Sequence, residues 1–276
     1  MDTARREKAG KQAARILRLI PVCMGLIKPG TDLSEAIRLG IKNNGLSLRD
    51  GDIIAVASKL VSTAEGRIVR LGDVTPSRRA YEMGALYKME PRLVEIVLRE
   101  ADQVLGGLPE VLLTLKNGIL TANAGVDVSN TPPGFASLWP VNPDGSADEI
   151  REKLSDEADI AVIIVDSRVT PLRLGTIGLA LATSGISPTL DLRGSTDIYG
   201  KPLRYTWHGV ADDLASAAHY LMGEADEGIP AVIVRGANMR IPLKLNDESP
   251  KLSPDKCLYM SAIRNNAMDT AAGLNG

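Results

Sequence analysis

Residues 159–167 read DIAVIIVDS, an apolar run that closes on Asp166 and Ser167. An apolar run without polar alternation is typical of a strand that is covered on both faces of its sheet. In open α/β sheets the chemistry lies in the crevice beyond the strand ends, so a carboxylate at such an end is a candidate site residue. The stretch therefore predicts a buried strand with Asp166 at its tip.

A second predicted strand end carries side chains of the same kind. ILTANAGVDVSN, residues 119–130, places Asp127 just past a strand, with Ser129 and Asn130 behind it. A single aspartate at a strand end is most often a turn or helix cap. Two such ends with hydroxyl and amide neighbours favour a hard cation, so the first hypothesis is a centre that holds metal and phosphate.

The bulk composition limits the class of protein. The chain has 276 residues, 44% apolar content and a net charge of −2, enough for one large or two modest domains. The balanced charge does not favour nucleic acid, and no apolar stretch reaches the roughly 18 residues of a membrane span. Cys23 and Cys257 lie far apart without metal-binding neighbours, which favours free thiols in a cytoplasmic protein.

Strands and helices alternate irregularly along the chain, which argues for an α+β fold rather than a doubly wound sheet. Asn117-Gly118 between two apolar runs is the strongest hairpin signal. Predicted helix starts are Thr31, Thr75-Pro76, Glu90-Pro91 and a capping box of Ser146 with Glu149.

We expect four parts along the chain. A basic N-terminal extension covers residues 1–18, a first α+β lobe 19–140, a second α+β lobe 141–245, and a C-terminal tail 246–276. The boundary between the lobes is placed in a loop rich in proline and glycine, Thr131 to Gly145.

Common nucleotide and hydrolase motifs are absent from the sequence. It has no GxxxxGK[ST] loop, no GxGxxG between a strand and a helix, and no GxSxG elbow. The two histidines, His208 and His219, are interpreted as packing residues. Ser58 and Lys59 follow a buried strand, where a hydroxyl and an ammonium could contact phosphate.

The assembled segments resemble the coenzyme F420-0:γ-glutamyl ligase family, from about Pro21 to Gly236. The motifs that carry the resemblance are GLIKPGTDL, GDIIAVASKLVSTAEGRIV, PRLVEIVLRE, NAGVDVSN, NPDGSA, DLRGSTDIYGKPLRYT, VADDLASAA and MGEADEGIPAVIVRG. The resemblance implies a two-lobed α+β fold and a homodimer. It also implies an enzyme that uses GTP with Mn²⁺ or Mg²⁺ to join L-glutamate to the carboxylate of F420-0 through an acyl phosphate.

The same resemblance assigns roles to individual positions. It implies that Asp127 and Asp166 are catalytic metal ligands, with Ser167 and Glu224 as further metal ligands. The residues it places around the nucleotide are Leu26, Ile27, Lys28, Pro29, Ser58, Lys59, Asn130, Met222, Gly223 and Gly228.

Two departures from the family pattern keep alternatives open. Thr63 stands before AEG, where the family carries a lysine, and residues 166–175 read DSRVTPLRLG in place of DTxGRPxRxG. Arg168 is a candidate to replace the lost cation. The alternatives are an amide ligase with a different carboxylate acceptor and a non-catalytic protein that binds nucleotide or deazaflavin.

Overall fold

The computed structural model describes residues 16–237 and 250–263. The basic side chains of the predicted extension at 1–18 lie outside the described residues, apart from Arg18, and so does much of the predicted tail at 246–276. The described residues form two compact units. The larger comprises 16–75 and 125–237, and the smaller 76–124 and 250–263.

The larger unit is built on a five-stranded mixed sheet. Its strands, in spatial order, are β1 (Arg18–Val22), β12 (Ala231–Arg235), β2 (Ile53–Ala57), β8 (Ala161–Val169) and β9 (Thr176–Ser184). β2 and β8 run parallel and the other neighbours antiparallel. The predicted α+β class is confirmed.

This sheet explains why the compact units do not follow the predicted division at residue 140. β2 precedes that position and β8 follows it, yet the two strands pair over their whole apolar cores, Ile53↔Ala161 to Ala57↔Val165. Segments on both sides of the loop are therefore buried in one sheet. The smaller unit is instead an insertion between Thr75 and Gly125, joined by residues near the C-terminus.

The remaining elements are short. The other strands are β3 (Ile68–Arg70), β4 (Gln103–Leu108), β5 (Val111–Lys116), β6 (Ile119–Ala122), β7 (Phe135–Ser137), β10 (Leu190–Asp191) and β11 (Trp207–His208). The helices are α1 (Leu33–Asn43), α2 (Ser58–Ala64), α3 (Arg78–Tyr87), α4 (Pro91–Glu100), α5 (Pro143–Leu154) and α6 (Val210–Met222). In residues 16–237 and 250–263, every helix falls short of the length and apolar character that a membrane crossing requires.

Several predicted turns and caps are corrected by their hydrogen bonds. Asp32, not Thr31, caps α1, because its carboxylate accepts from the backbone N–H groups of the first turn. Ser77 caps α3, two residues after the predicted start. Asn142 caps α5, so the predicted box of Ser146 and Glu149 lies inside the helix.

Two sequence signals in the smaller unit are confirmed. Glu90 caps α4 with Pro91 at its first position, as the Glu-Pro pair predicts. Asn117 and Gly118 join β5 to β6 with φ values of 50° and 75°. Positive φ at both central residues is the requirement of the tight hairpin turn that Asn-Gly favours.

One face of the larger sheet is covered by α6. Ala161, Ile163 and Val165 of β8 belong to one buried cluster with Ala215 and Ala218 of that helix. Because side chains alternate along a strand, the next odd residue, Ser167, lies on the α6 face and Asp166 on the opposite face. The side chains of these two consecutive candidate residues therefore lie on opposite faces of the sheet.

Candidate active site

Asp166 lies inside β8 and not at its tip. β9 pairs with β8 through Asp166↔Leu179 and continues to Val169↔Thr176. The apolar run does stop at Val165, as predicted, but backbone pairing with β9 carries the strand three residues past Asp166. The prediction of a strand-end aspartate is wrong in that respect.

Both oxygens of the Asp166 carboxylate accept a hydrogen bond. The Ser58 hydroxyl donates to Oδ1 at 2.7 Å, and the Trp139 indole Nε1–H donates to Oδ2 at 2.7 Å. Burial raises the pKa of Asp166, and these two donors, with the charge of Lys59, offset only part of that effect. Burial therefore works against the charged form of Asp166.

Asp127 has the opposite electrostatic balance. It follows β6 by five residues and is fixed by a two-way backbone bridge to Ser137. Lys59 Nζ and Ser129 Oγ both donate to its Oδ2 at 2.6 Å, and the Ser129 N–H donates to Oδ1 at 2.8 Å. Burial alone would raise the pKa of Asp127, but the donors, Lys59 first, hold that pKa below its ordinary value.

Two consecutive residues connect the aspartates. Ser58 and Lys59 open α2 directly after β2, and they contact Asp166 and Asp127 respectively. The strand was predicted to end at Ser58 and Lys59, but it ends at Ala57, and the helix that both residues open was missed. The start of α2 therefore brings together both aspartates and both residues that the sequence proposed for phosphate.

The other two predicted metal ligands lie apart from that group. Ser167 is on the α6 face of β8. Glu224, beyond the end of α6, accepts from the Thr176 hydroxyl and lies 2.9 Å from His219 Nε2, all through its Oε1. These contacts place Glu224 with the start of β9 and the last turn of α6, and none of them involves Asp127 or Asp166.

The donor set fits a cation that arrives with phosphate. Among the residues that the structure describes, no three carboxylate, histidine or cysteine side chains form a ready metal cage. Asp127 and Asp166 offer hard oxygens, and Mg²⁺ is commonly held by one or two carboxylates together with phosphate oxygens and water. The pair suits a nucleotide-bound Mg²⁺ or Mn²⁺ better than a structural ion.

The predicted nucleotide loops meet around α2. Residues 24–30 are held at both ends, by Met24 N–H donating to Gly228 O at 3.3 Å and Gly30 N–H donating to Ala64 O at 2.8 Å. Leu26 and Lys28 are exposed between these anchors and Ile27 is half-buried. Pro29 is exposed too and lies beside the turn that follows α2, at Gly66.

The second loop predicted to contact the nucleotide, residues 222–228, is tied to the Asp127 loop. Asn130 Nδ2 donates to Ala225 O at 2.8 Å. Gly223 and Gly228 have φ values of 70° and 67°, which favour glycine. Met222 is different, because its side chain is buried in the α6 cluster. A contact between Met222 and a ligand would have to come from its backbone.

Two side chains that contact candidate site residues were not predicted from the sequence. Trp139 lies outside the motifs quoted from the sequence, and His219 was interpreted as packing although it contacts Glu224. A buried tryptophan usually finds an acceptor for its N–H, which is the signal that could have singled out Trp139. Its acceptor, Asp166, lies 27 positions along the chain.

Thr63 and Arg168, which lie in the two segments that depart from the family pattern, make contacts away from the two aspartates. The Thr63 hydroxyl bonds back along its own helix and donates to Lys59 O at 2.8 Å. Arg168 NH2 lies 3.9 Å from Asp212 Oδ2, and its Nε is buried without a hydrogen-bond partner. Neither side chain contacts Asp127 or Asp166, so neither replaces the lost cation at that pair in this conformation.

Comparison with known proteins assigns the family. A family model described as F420-0:Gamma-glutamyl ligase matches residues 21–236. The chain is 42% identical over 220 residues to the Coenzyme F420:L-glutamate ligase of Methanocaldococcus jannaschii, covering 78% of this chain and 88% of that one. It is 41% identical over 224 residues to the enzyme of the same name from Methanopyrus kandleri, covering 80% and 87% respectively. The chain belongs to the F420-0:gamma-glutamyl ligase family.

Proposed function

We propose that the protein is a GTP- and divalent-metal-dependent ligase that joins L-glutamate to the carboxylate of coenzyme F420-0. Family membership supports the ligase class, and relatives of about 40% identity are named for F420 and L-glutamate. The observation that carries the proposal is the group of Asp127, Asp166, Ser58 and Lys59 at the start of α2.

The proposed reaction has two steps. An oxygen of the acceptor carboxylate attacks the γ-phosphorus of GTP, and GDP leaves with the electrons of the broken P–O bond. The amino group of glutamate then attacks the acyl carbon, loses a proton, and expels inorganic phosphate as the amide forms. In phosphoryl transfer the protein mainly positions the reactants and stabilises developing charge.

The residues at the start of α2 suit those tasks. Lys59 carries a positive charge beside Asp127 and is a point charge of the kind that contacts phosphate. Asp127 and Asp166 would hold Mg²⁺ or Mn²⁺, which neutralises charge on the transferred phosphoryl oxygens. The hydrogen bonds of Ser129 hold the Asp127 carboxylate before any ligand binds, and Ser58 and Trp139 each donate to one oxygen of Asp166.

The test is a reaction mixture of protein, GTP, Mn²⁺, L-glutamate and F420-0, analysed by mass spectrometry. We expect a product heavier than F420-0 by one glutamyl unit and an equal amount of GDP. GTP hydrolysis without that product would rule out F420-0 as acceptor. A matched reaction with ATP and one with Mg²⁺ measure the nucleotide and metal preferences.

A second candidate is a ligase of the same class that acts on another carboxylate. Two contacts favour it, the bond of the Thr63 hydroxyl to Lys59 O and the position of Arg168 beside Asp212. Neither residue supplies the cation that the family pattern places near the site. This candidate predicts GTP turnover only with a different acid. A non-catalytic protein would instead bind nucleotide without any turnover.

A further inference from the structure

Trp139 is built into the wall of the candidate site. Its side chain is 3% exposed, and its Nε1–H donates to Asp166 Oδ2 at 2.7 Å. Its backbone oxygen accepts from Arg67 Nε at 3.1 Å, which fixes the other end of the residue. A Cβ on Gly125 would lie 2.1 Å from the indole Nε1, so only glycine leaves room for the ring there.

The two donors to Asp166 differ in kind. A serine hydroxyl rotates and can either donate or accept, so Ser58 adapts to whatever the carboxylate does. An indole N–H only donates, and the packing of Trp139 against Gly125 holds its direction. The plane of the Asp166 carboxylate is therefore set by Trp139 more than by Ser58.

We propose that Trp139 is a positioning residue, which orients Asp166 for the cation and phosphate that the site takes. The expected effect of Trp139 on turnover rests on the proposed function. The hydrogen bond from Trp139 to Asp166 does not depend on it. Each carboxylate oxygen has two acceptor positions, so Oδ2 can accept from Trp139 and still face a ligand. Removing the indole N–H would leave that oxygen partly buried and free to turn.

The first experiment compares Trp139→Phe with Trp207→Phe. Trp207 lies on β11 beneath the Arg193 guanidinium, 4.6 Å from the ring centroid, and has no role in the proposed site. We expect Trp139→Phe to lower turnover about 10–100-fold and to raise the half-saturating Mn²⁺ concentration, as the loss of a ligand's outer partner does. Trp207→Phe should leave both values unchanged.

A purely structural role for Trp139 would give another result. Melting temperature would then fall while the half-saturating Mn²⁺ concentration stayed at the wild-type value. That outcome, or wild-type turnover in Trp139→Phe, would overturn the proposal.

The second experiment uses the indole as a reporter and keeps Trp139 in place. The sequence has two tryptophans, so Trp207→Phe leaves Trp139 as the sole one. Adding Mn²⁺ with GTP, without glutamate or acceptor, should quench its emission, because a paramagnetic ion held by Asp166 would lie near the indole that donates to that carboxylate. Trp139→Phe, which keeps only Trp207, is the control and should not be quenched.

The two experiments separate the possible failures. Unchanged Trp139 emission with Mn²⁺ and GTP would overturn the proposal, even if Trp139→Phe does not fold. Quenching in a protein that forms no glutamyl product would support the positioning of Asp166 and reject F420-0 ligation. Quenching together with the loss of turnover supports both.

Discussion

Two carboxylate clusters in the larger unit have different surroundings. Asp166 has a donor on each oxygen, is partly buried, and shares the start of α2 with Asp127. The side chain of Glu224 is 54% exposed, and its contacts with Thr176 and His219 both reach the same oxygen. Burial makes electrostatic interactions strong at Asp166, whereas water screens those of Glu224.

The difference shows which of the carboxylates lies where burial disfavours its ionised form. Burial disfavours an ionised Asp166, yet the chain keeps a carboxylate there and supplies it with two neutral donors. Acids whose pKa is shifted by burial and by specific partners cluster at functional sites. The first cluster is therefore the reactive centre of our proposal, and Glu224 is at most an outer contributor.

The largest expected effect is from Asp166→Asn. We expect turnover to fall by more than about 100-fold, because loss of a charged ligand exceeds the 10–100-fold typical of its outer partners. The stability of the fold at pH 7, in contrast, should not fall. The raised pKa of Asp166 means that folding favours its protonated form, a contribution present below the ordinary aspartate pKa and lost as pH rises through the raised pKa.

Asp166→Asn should consequently melt at or above the wild-type temperature at pH 7. Asp127→Asn is the matched control, and it should also lose turnover but melt below wild type. The lowered pKa of Asp127 stabilises the fold above the ordinary aspartate pKa, and this contribution is lost as pH falls through the lowered value. Melting curves from pH 3 to 8 would contradict the account if both variants shifted alike.

Gly125→Ala tests the packing behind the first cluster. Its new Cβ would collide with the Trp139 indole, and overpacking of this kind costs about 1–3 kcal/mol beyond the strain of positive φ. Gly228→Ala, near Glu224, has a similar φ but open space around it, so it should carry the backbone strain alone. Urea unfolding of both variants measures the difference, and equal losses would remove the argument for a rigid Trp139.

Lys59→Met is expected to have a smaller effect, on nucleotide binding. The variant keeps the apolar stem and loses the charge, so the KM for GTP should rise about tenfold, or about 1.4 kcal/mol. Steady-state kinetics with varied GTP test this, and an unchanged KM would contradict a phosphate contact by Lys59. Lys153→Met, which removes an exposed ion pair with Glu149, is the control.

The smallest expected effect is from His219→Gln. His219 contacts a Glu224 side chain that is 54% exposed, where water screens the interaction, so turnover should change less than about fivefold. His208→Gln is matched, since His208 pairs with Asp213 at 2.6 Å on an exposed surface. A loss as large as that of Asp166→Asn would break the comparison and place Glu224 within the reactive centre.

The reactive centre could be predicted from the sequence only where local pattern determines it. The apolar run to Val165 and the polar residues after each strand identified Asp127, Asp166, Ser58 and Lys59. The end of β8 could not be predicted, since β9 determines it by pairing.

The fold shows the same limit. The hairpin at Asn117-Gly118 was readable because its turn needs those two residues. The compact units could not be predicted from the sequence, because β2 and β8 pair across about a hundred intervening positions. Likewise, Trp139 becomes a site residue only when folding brings it to Asp166.

An isotope experiment tests the proposed reaction most directly. F420-0 labelled with ¹⁸O in its free carboxylate is incubated with the protein, GTP, Mn²⁺ and L-glutamate. An acyl-phosphate route transfers one ¹⁸O to inorganic phosphate for each glutamyl product formed, and Asp166→Asn should lower both together. Product without ¹⁸O in the phosphate would contradict the acyl phosphate, and wild-type product from Asp166→Asn would contradict the reactive centre.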